Sequence, residues 1–234
     1  MKIAILSSVA GVSSKVLAQG LKDNGIHADV FKTKDTMRRD FEDYDYVYSF
    51  GCSEATLHKK RLNKPEAIRR CVSKPLTFEA LKKAGCSTVE YTTNREKIPK
   101  HWEWVVVREK LDGRKAEGIG YCENIPGKIP AGELFTEYFE HKYEYRIMVF
   151  RDEVVGRYFK AEENGDWYFN LQPKRGFEEM DRQCVRAAKE LGIDYVGFDV
   201  VANTKKDFKI LEANSAARLT DEAEIAIIEY FLNV

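Results

Sequence analysis

Two stretches near the C-terminal end decide the fold: LGIDYVGFDVV over residues 191–201 and ILEANS over residues 210–215. Both are rich in β-branched and aromatic residues, so they predict two strands joined by a short turn. In such a hairpin, Asp199 can face Glu212 and Asn214. Two carboxylates and an amide oxygen form a hard oxygen site suited to Mg²⁺. The alternative is that all three are ordinary polar positions on an exposed hairpin face.

The segments before this hairpin carry further strand signals, separated by Gly, Asn or Asp turns. They predict an antiparallel sheet, covered by an amphipathic helix and followed by a C-terminal helix. The predicted strands are Trp104–Arg108, Gly118–Tyr121, Leu134–Phe139, Tyr145–Phe150, Val154–Lys160, Trp167–Leu171, Val196–Val201 and Phe208–Ala213, and the two helices are Phe177–Leu191 and Asp221–Leu232.

The N-terminal part predicts a small βαβ-type layer that ends near residue 64. Its strands are Ile3–Leu6, Ala28–Phe31 and Tyr46–Phe50, and its helix, capped by Ser13, buries Val16, Leu17 and Leu21. The polar loop from Ser7 to Val12 could cradle a phosphate at the helix N-terminus, but it reads equally well as a strand-to-helix connection. Two further helices begin at Pro65 and Pro75 and run to Cys71 and Lys83.

Composition excludes several functional classes. Lys plus Arg and Asp plus Glu both number 38, so no overall charge draws the chain to nucleic acid or to an anionic membrane. The basic clusters at 59–61 and 69–70 are read as solvated faces. The 5 cysteines are scattered and the 4 histidines show no metal-ligand spacing. The first apolar run is too short for a signal peptide and none spans a bilayer, so we expect a cytoplasmic protein.

The C-terminal pair of stretches resembles the metal-binding end of ATP-grasp enzymes, particularly the branch of the ribosomal-protein glutamate ligases. The resemblance implies that Asp199, Glu212 and Asn214 hold the magnesium that bridges the ATP phosphates. Two ions are expected, and Mn²⁺ can substitute for Mg²⁺. After Asn214 this chain reads SAARL over residues 215–219 instead of the family's Pro-Gly-Leu. This departure makes Arg218 a candidate anchor for an acceptor carboxylate.

A second match is FTEYFEHKYEYRIMVF over residues 135–150, which resembles the hinge strand of the family and the strand after it. The resemblance implies that adenine binds to the backbone of Glu137, Tyr138 and Phe139, and it aligns Glu144 with the acidic residue that follows. By the same likeness, three polar side chains approach the γ-phosphate and the acyl phosphate, where developing charge needs fixed donors. They are Arg146, Lys160 and Asn170. A surface ion pair with Glu144 is the alternative for Arg146.

A third match, SKPLTFEALKKAGCSTVEYT over residues 73–92, resembles the helix, Gly stop and strand that open the ATP-grasp domain. It implies that Lys74 contacts ATP and that Arg108 replaces the second nucleotide-binding lysine of the family. For either residue alone, a solvated helix or strand end is the alternative. The loop over residues 109–118 is more charged than the glycine-rich phosphate cover of the family.

These matches predict an α/β ATP-grasp fold with three parts: a βαβ-type domain over residues 1–64, a lid over 65–134 and a C-terminal sheet domain over 135–234. The expected reaction joins a small-molecule or peptide carboxylate to an amine through an acyl phosphate, with no evident general base. Because the chain is short for the family, a homo-oligomer or a substrate-carrying partner could complete the site. The alternatives are a kinase on the same scaffold and a non-catalytic nucleotide-binding module.

Overall fold

The computed structural model describes residues 1–7, 11–32, 40–53, 58, 60–111, 118–163 and 166–234. For residues 162, 163, 166 and 167 only the backbone is described. The candidate phosphate loop falls mainly on residues 8–10 and the charged cover loop on residues 112–117, so both lie outside the described part. Within these ranges, no helix is both long and apolar enough to cross a bilayer.

The N-terminal part is a four-stranded parallel sheet in the order β2-β1-β3-β4. It contains β1 (Lys2–Ser7), α1 (Val12–Asp23), β2 (His27–Lys32), β3 (Tyr46–Phe50) and β4 (Arg61–Leu62). β1, which lies between β2 and β3, is almost continuously apolar because both of its faces are buried.

Two details of α1 differ from the prediction. The residue at the N-cap is Gly11, not Ser13. The Ser13 hydroxyl instead accepts a hydrogen bond from the backbone N–H of Leu219, which lies in the C-terminal part of the chain. The helix buries Leu17 and Leu21 as expected, but Val16 is exposed. Ser13, which the local pattern predicts as the N-cap, therefore bonds instead to a residue more than two hundred positions away in the sequence.

Helices α2 (Pro65–Val72) and α3 (Lys74–Lys83) follow, and both begin with a proline in the first turn. A small antiparallel sheet comes next, in the order β5-β8-β6-β7. Its strands are β5 (Tyr91–Thr92), β6 (Trp104–Arg108), β7 (Ile119–Glu123) and β8 (Leu134–Glu137), with a short 3₁₀ turn at Arg95–Lys97. This sheet, called the lid sheet below, has its own small core around Trp102 and Phe135.

The C-terminal part is a five-stranded antiparallel sheet in the order β11-β10-β9-β12-β13. Its elements are β9 (Tyr143–Phe150), β10 (Glu153–Glu163), β11 (Asp166–Leu171), α4 (Glu178–Leu191), β12 (Tyr195–Ala202), β13 (Phe208–Asn214) and α5 (Asp221–Leu232). The single antiparallel sheet expected from sequence is therefore two sheets, because β8 pairs with β6 and not with β9. The division of the chain at residues 64 and 134 stays a prediction.

The two faces of the five-stranded sheet have different neighbours. One face packs against α2, α3 and α4 in the largest apolar cluster, which includes Ile147, Phe198 and Cys184. The opposite face is covered at one end by α5 and the N-terminal sheet, which enclose Met148 and Tyr158. Polar side chains occupy the remainder of that face, and this is where the predicted site residues gather.

Candidate active site

Strand register places four side chains in one row, called the charged row below, across the polar face of the five-stranded sheet. Glu212 on β13 lies opposite Asp199 on β12, Asp199 lies opposite Arg146 on β9, and Arg146 lies opposite Tyr158 on β10. Paired residues of antiparallel strands project to the same side, so the row is continuous. A bulge after Asp199 shifts the pairing of β12 with β13 from the next residue onward.

Opposite charges pair closely within this row and beside it. Both nitrogens on one edge of the Arg146 guanidinium donate to the Asp199 carboxylate, and the Nη2–Oδ2 distance is 2.9 Å. Lys160 Nζ lies 3.0 Å from Glu144 Oε2 and 3.8 Å from Asp199 Oδ2. The Arg146, Lys160 and Asp199 side chains are at most 19% exposed, so solvent weakens these attractions less than it would on the surface.

Two cations reach the same row from other elements. Lys74, at the start of α3, is buried, and its Nζ lies 2.7 Å from Glu212 Oε1. Arg108, at the end of lid strand β6, is largely buried as well. Burial lowers the pKa of Arg108, while the negative charge of Glu212 opposes that shift. The buried Arg108 Nε has no hydrogen-bond partner within the described residues, which costs free energy that an acceptor from a ligand would recover.

The predicted magnesium ligands lie at one edge of this face. Asp199 and Glu212 are a directly opposed pair, and Asn214 follows two residues after Glu212 on the same side of β13. The Asn214 Oδ1 accepts the Ala216 N–H at 3.0 Å. Within the described ranges, no group of three or more His, Cys, Asp or Glu side chains could hold a metal alone. Two carboxylates and an amide still fit Mg²⁺, which commonly takes one or two carboxylates and fills its shell with water and phosphate.

The predicted adenine hinge begins at Glu137, the last residue of lid strand β8, and continues through Tyr138 and Phe139. The N–H of Glu137 donates to the Glu90 carbonyl at 3.0 Å, and the N–H of Tyr138 donates to the Trp104 carbonyl at 3.1 Å. The Phe139 carbonyl contacts His141 Nδ1 at 2.8 Å. The Glu137 and Tyr138 bonds fix the start of the hinge backbone against the lid. The His141 ring also lies 3.3 Å from Glu144, which connects the hinge to the Glu144–Lys160 pair.

Asn170 does not join this group, so the expectation that Arg146, Lys160 and Asn170 share one inward face is wrong. Register pairs Lys160 with Phe169 and pairs Asn170 with Phe159, whose ring packs on the helix side of the sheet. Asn170 therefore projects to the opposite face, because alternate residues of a strand point to opposite sides. The Phe169 ring lies where the asparagine was expected, 5.7 Å from Arg146 Cζ.

Arg218 lies beside a cavity of about 340 Å³ that adjoins the charged row. Arg146 and Phe169 of the sheet line the cavity together with Arg218 and the first turn of α5. In this wall the Tyr158 hydroxyl donates to the Glu222 carboxylate. Partial burial raises the pKa of Glu222. Hydrogen bonds from Tyr158, the Glu222 backbone and Thr220 together lower it by more than burial raises it, so the pKa lies below its usual value. Glu222 is thus held ionised.

Sequence reasoning missed Phe169, Tyr158 and Glu222. The sequence does contain a signal for Phe169. When residues are counted outward from the turn between β10 and β11, Phe169 falls opposite Lys160. No comparable signal existed for the Tyr158–Glu222 contact, which joins residues 64 positions apart.

Comparisons with known proteins agree with this geometry. Residues 128–230, which include the whole charged row, match the RimK-like ATP-grasp domain. No curated protein sequence matches the chain. Among solved structures, the ATP-grasp ligase PsnB, complexed with a minimal precursor, superposes with a TM-score of 0.75 at 15% identity, covering 100% of this chain and 99% of PsnB.

Two other solved structures show the same likeness. The macrocyclase MdnC from Microcystis aeruginosa MRC, bound to the precursor peptide MdnA, has a TM-score of 0.69 at 12% identity, with both chains fully covered (100% and 100%). A RiPP-associated ATP-grasp ligase from Chryseobacterium gregarium, in complex with ADP and a leader and core peptide, has a TM-score of 0.69 at 15% identity, covering 100% and 97%.

The fold is therefore the ATP-grasp fold, which this chain shares with solved ATP-grasp ligases. More particularly, its C-terminal part is similar to the RimK-like ATP-grasp domain. The fold predicted from the sequence is confirmed, and both matches support the predicted class of ATP-dependent ligase.

Proposed function

We propose that this protein activates a peptide carboxylate with ATP to give an acyl phosphate and then transfers the acyl group to an amine, forming an amide. The observation that carries the proposal is the convergence of Lys74, Arg146 and Lys160 on the carboxylates of Asp199 and Glu212, with Arg108 close enough to feel the charge of Glu212. Four cations and two carboxylates on one sheltered face suit a polyphosphate with its divalent cation.

The fit to nucleotide and metal follows from how these charges are now paired. Asp199 and Glu212 each contact a cationic side chain. When metal and phosphate bind, the two carboxylates would bind the metal, and the cationic side chains would bind the phosphate oxygens instead. Mg²⁺ would be held by Asp199, Glu212 and Asn214, and when bound it supplies charge neutralisation on the phosphates. A second ion, or Mn²⁺ in place of Mg²⁺, is compatible with the same oxygen ligands. PsnB has been solved with Mg and ADP.

In the reaction, the residues of this chain bind and orient. Lys74 and Arg108 would hold the phosphates from the helix and lid sides, and the hinge backbone would take the adenine. Arg146 and Lys160 would stabilise the charge that develops as the γ-phosphoryl group moves to the substrate carboxylate. Glu144 positions Lys160 through their ion pair. Asn170, on the far face, is given no role in this step.

The cavity beside Arg146 is proposed to hold the substrates, with Arg218 as the anchor for a carboxylate. Peptides are the proposed substrate class because PsnB, MdnC and the Chryseobacterium ligase are each seen with a precursor or with leader and core peptides. The cysteines of the described structure are free thiols, most of them buried, which suits the reducing cytoplasm that we propose as the location.

Trapping with hydroxylamine tests the ligase reaction. The protein is mixed with ATP, Mg²⁺ and a panel of short peptides that carry Asp and Glu side chains and a free C-terminus. We expect ADP, free phosphate and a peptide hydroxamate, because hydroxylamine intercepts an activated acyl group without the natural amine. A stable phosphorylated peptide without hydroxamate would replace the ligase with a kinase. Nucleotide binding without turnover on any carboxylate would favour the non-catalytic module.

Removing the Lys74 ammonium tests the nucleotide contact separately. Lys74→Ala should weaken Mg·ATP binding by about 1 to 3 kcal/mol, the usual loss for a charge-assisted contact. Calorimetric titration with ATP measures the effect. Lys83→Ala is the matched control, because Lys83 lies on the same helix but is exposed and pairs with Glu190. Equal ATP affinity in the two variants would remove Lys74 from the site.

A further inference from the structure

Three aromatic rings form an exposed ladder on the lid sheet. The Trp104 and Tyr121 ring centroids are 6.2 Å apart, and the Tyr121 and Tyr138 rings are stacked at 6.1 Å with an interplanar angle of 20°. The three residues remain 38%, 72% and 41% exposed, respectively. Large rings that stack on each other and stay in solvent leave an apolar surface uncovered, which is typical of a binding surface.

The ladder lies on the face of the lid sheet that is turned toward the C-terminal sheet. Trp104 and Arg108 share a face because they are separated by an even number of residues, and Tyr121 is directly opposite Val106 on that same face. Leu134, opposite Arg108, is buried in the core of the C-terminal sheet. The other face of the lid is closed by its own core, around Val105, Val107 and Phe135.

The position of the ladder along this face matches the outer end of a bound nucleotide. Arg108 lies at the end of the cleft that would hold the phosphates, near the negative charge of Glu212. Trp104 lies four residues back along the strand, or about 13 Å. Tyr138 belongs to the hinge, and its N–H is bonded to the Trp104 carbonyl. The rings are therefore at the base end of the cleft.

We propose that Trp104, Tyr121 and Tyr138 form a stacking platform for the purine base of ATP. The inference rests on the proposed nucleotide site and adds two residues, Trp104 and Tyr121, that the hinge assignment does not contain. Base–aromatic stacking contributes affinity without reading hydrogen bonds, so the platform strengthens the binding of adenine and guanine nucleotides alike.

Calorimetric titrations with ATP and with inorganic tripolyphosphate, both with Mg²⁺, test the platform. Tyr121→Leu and Trp104→Leu should each lower ATP affinity about tenfold and leave tripolyphosphate affinity unchanged, because only ATP has a base to stack. Tyr143→Leu is the matched control, since Tyr143 is 43% exposed but packs near Tyr145 and Phe159 outside the ladder. ATP should also change the fluorescence of wild-type tryptophan, and Trp104→Leu should abolish that change.

The outcomes separate this inference from the function on which it rests. If the wild-type protein binds ATP and both ladder variants bind it equally well, the platform is wrong and the nucleotide site stands. An equal loss of ATP and tripolyphosphate affinity in the variants would also overturn the platform, because it would indicate a damaged lid. If the wild-type protein binds neither ligand, both the proposed function and the platform are wrong.

Discussion

Glu212→Gln should lower kcat by more than about 10²-fold, because the amide keeps the size of the side chain but removes the charge that a magnesium site needs. Glu212 is opposed by Asp199 on the next strand and contacts the buried Lys74 ammonium. The loss should appear as ADP release measured across a range of Mg²⁺ concentrations. Higher Mg²⁺ should restore part of it, since the remaining ligands still bind the ion weakly.

The glutamine variant is a sharper test than alanine because of Lys74. Alanine would leave the buried Lys74 ammonium without its partner, at a cost of roughly 1 to 3 kcal/mol in stability, and lost activity could then reflect unfolding. Glutamine retains an oxygen for that contact. Glu79→Gln is the control, because Glu79 is exposed on α3. Full activity of Glu212→Gln with an unchanged Mg²⁺ requirement would exclude Glu212 as a metal ligand.

Local signals in the sequence were sufficient for the elements that carry the site. The hairpin that carries Asp199 and Glu212 follows from its apolar strands and its short turn, although the bulge after Asp199 is what places Glu212 and not Leu211 opposite it. α5 spans Asp221–Leu232 as predicted, with Thr220 as the N-cap whose hydroxyl accepts the Ala223 N–H. Such features depend on residues close in the chain, so pattern alone can predict them.

Contacts between distant segments were beyond the same reasoning. The Lys74–Glu212 ion pair joins α3 to β13, and nothing within either segment specifies the other. The same holds for Ser13, whose hydroxyl accepts the Leu219 N–H instead of capping its own helix. Asn170 differs for another reason: polarity alone favours the asparagine as a site residue, whereas strand alternation puts the aromatic Phe169 beside Arg146.

Arg146→Ala should reduce hydroxamate formation about 10²-fold or more in kcat while Mg·ATP still binds. Charge develops on the transferring phosphoryl group mainly in the transition state, so a fixed donor there affects the rate more than ground-state affinity. Arg146 is well placed for this, because Asp199 holds one edge of its guanidinium and the Phe169 ring lies near the group. Calorimetry for ATP and single-turnover hydroxamate assays would separate the two effects.

Arg146→Lys distinguishes geometry from charge in the same experiment. Lysine keeps the positive charge but cannot make the two-pronged contact with Asp199, so it should recover only part of the lost rate. Arg218→Ala provides the contrast, because an anchor for a substrate carboxylate should raise KM for the peptide and leave ATP binding alone. If Arg146→Ala instead weakened ATP binding and left single-turnover trapping intact, Arg146 would be a ground-state phosphate contact, and the stabilisation of the acyl phosphate would have to be assigned to Lys160 alone.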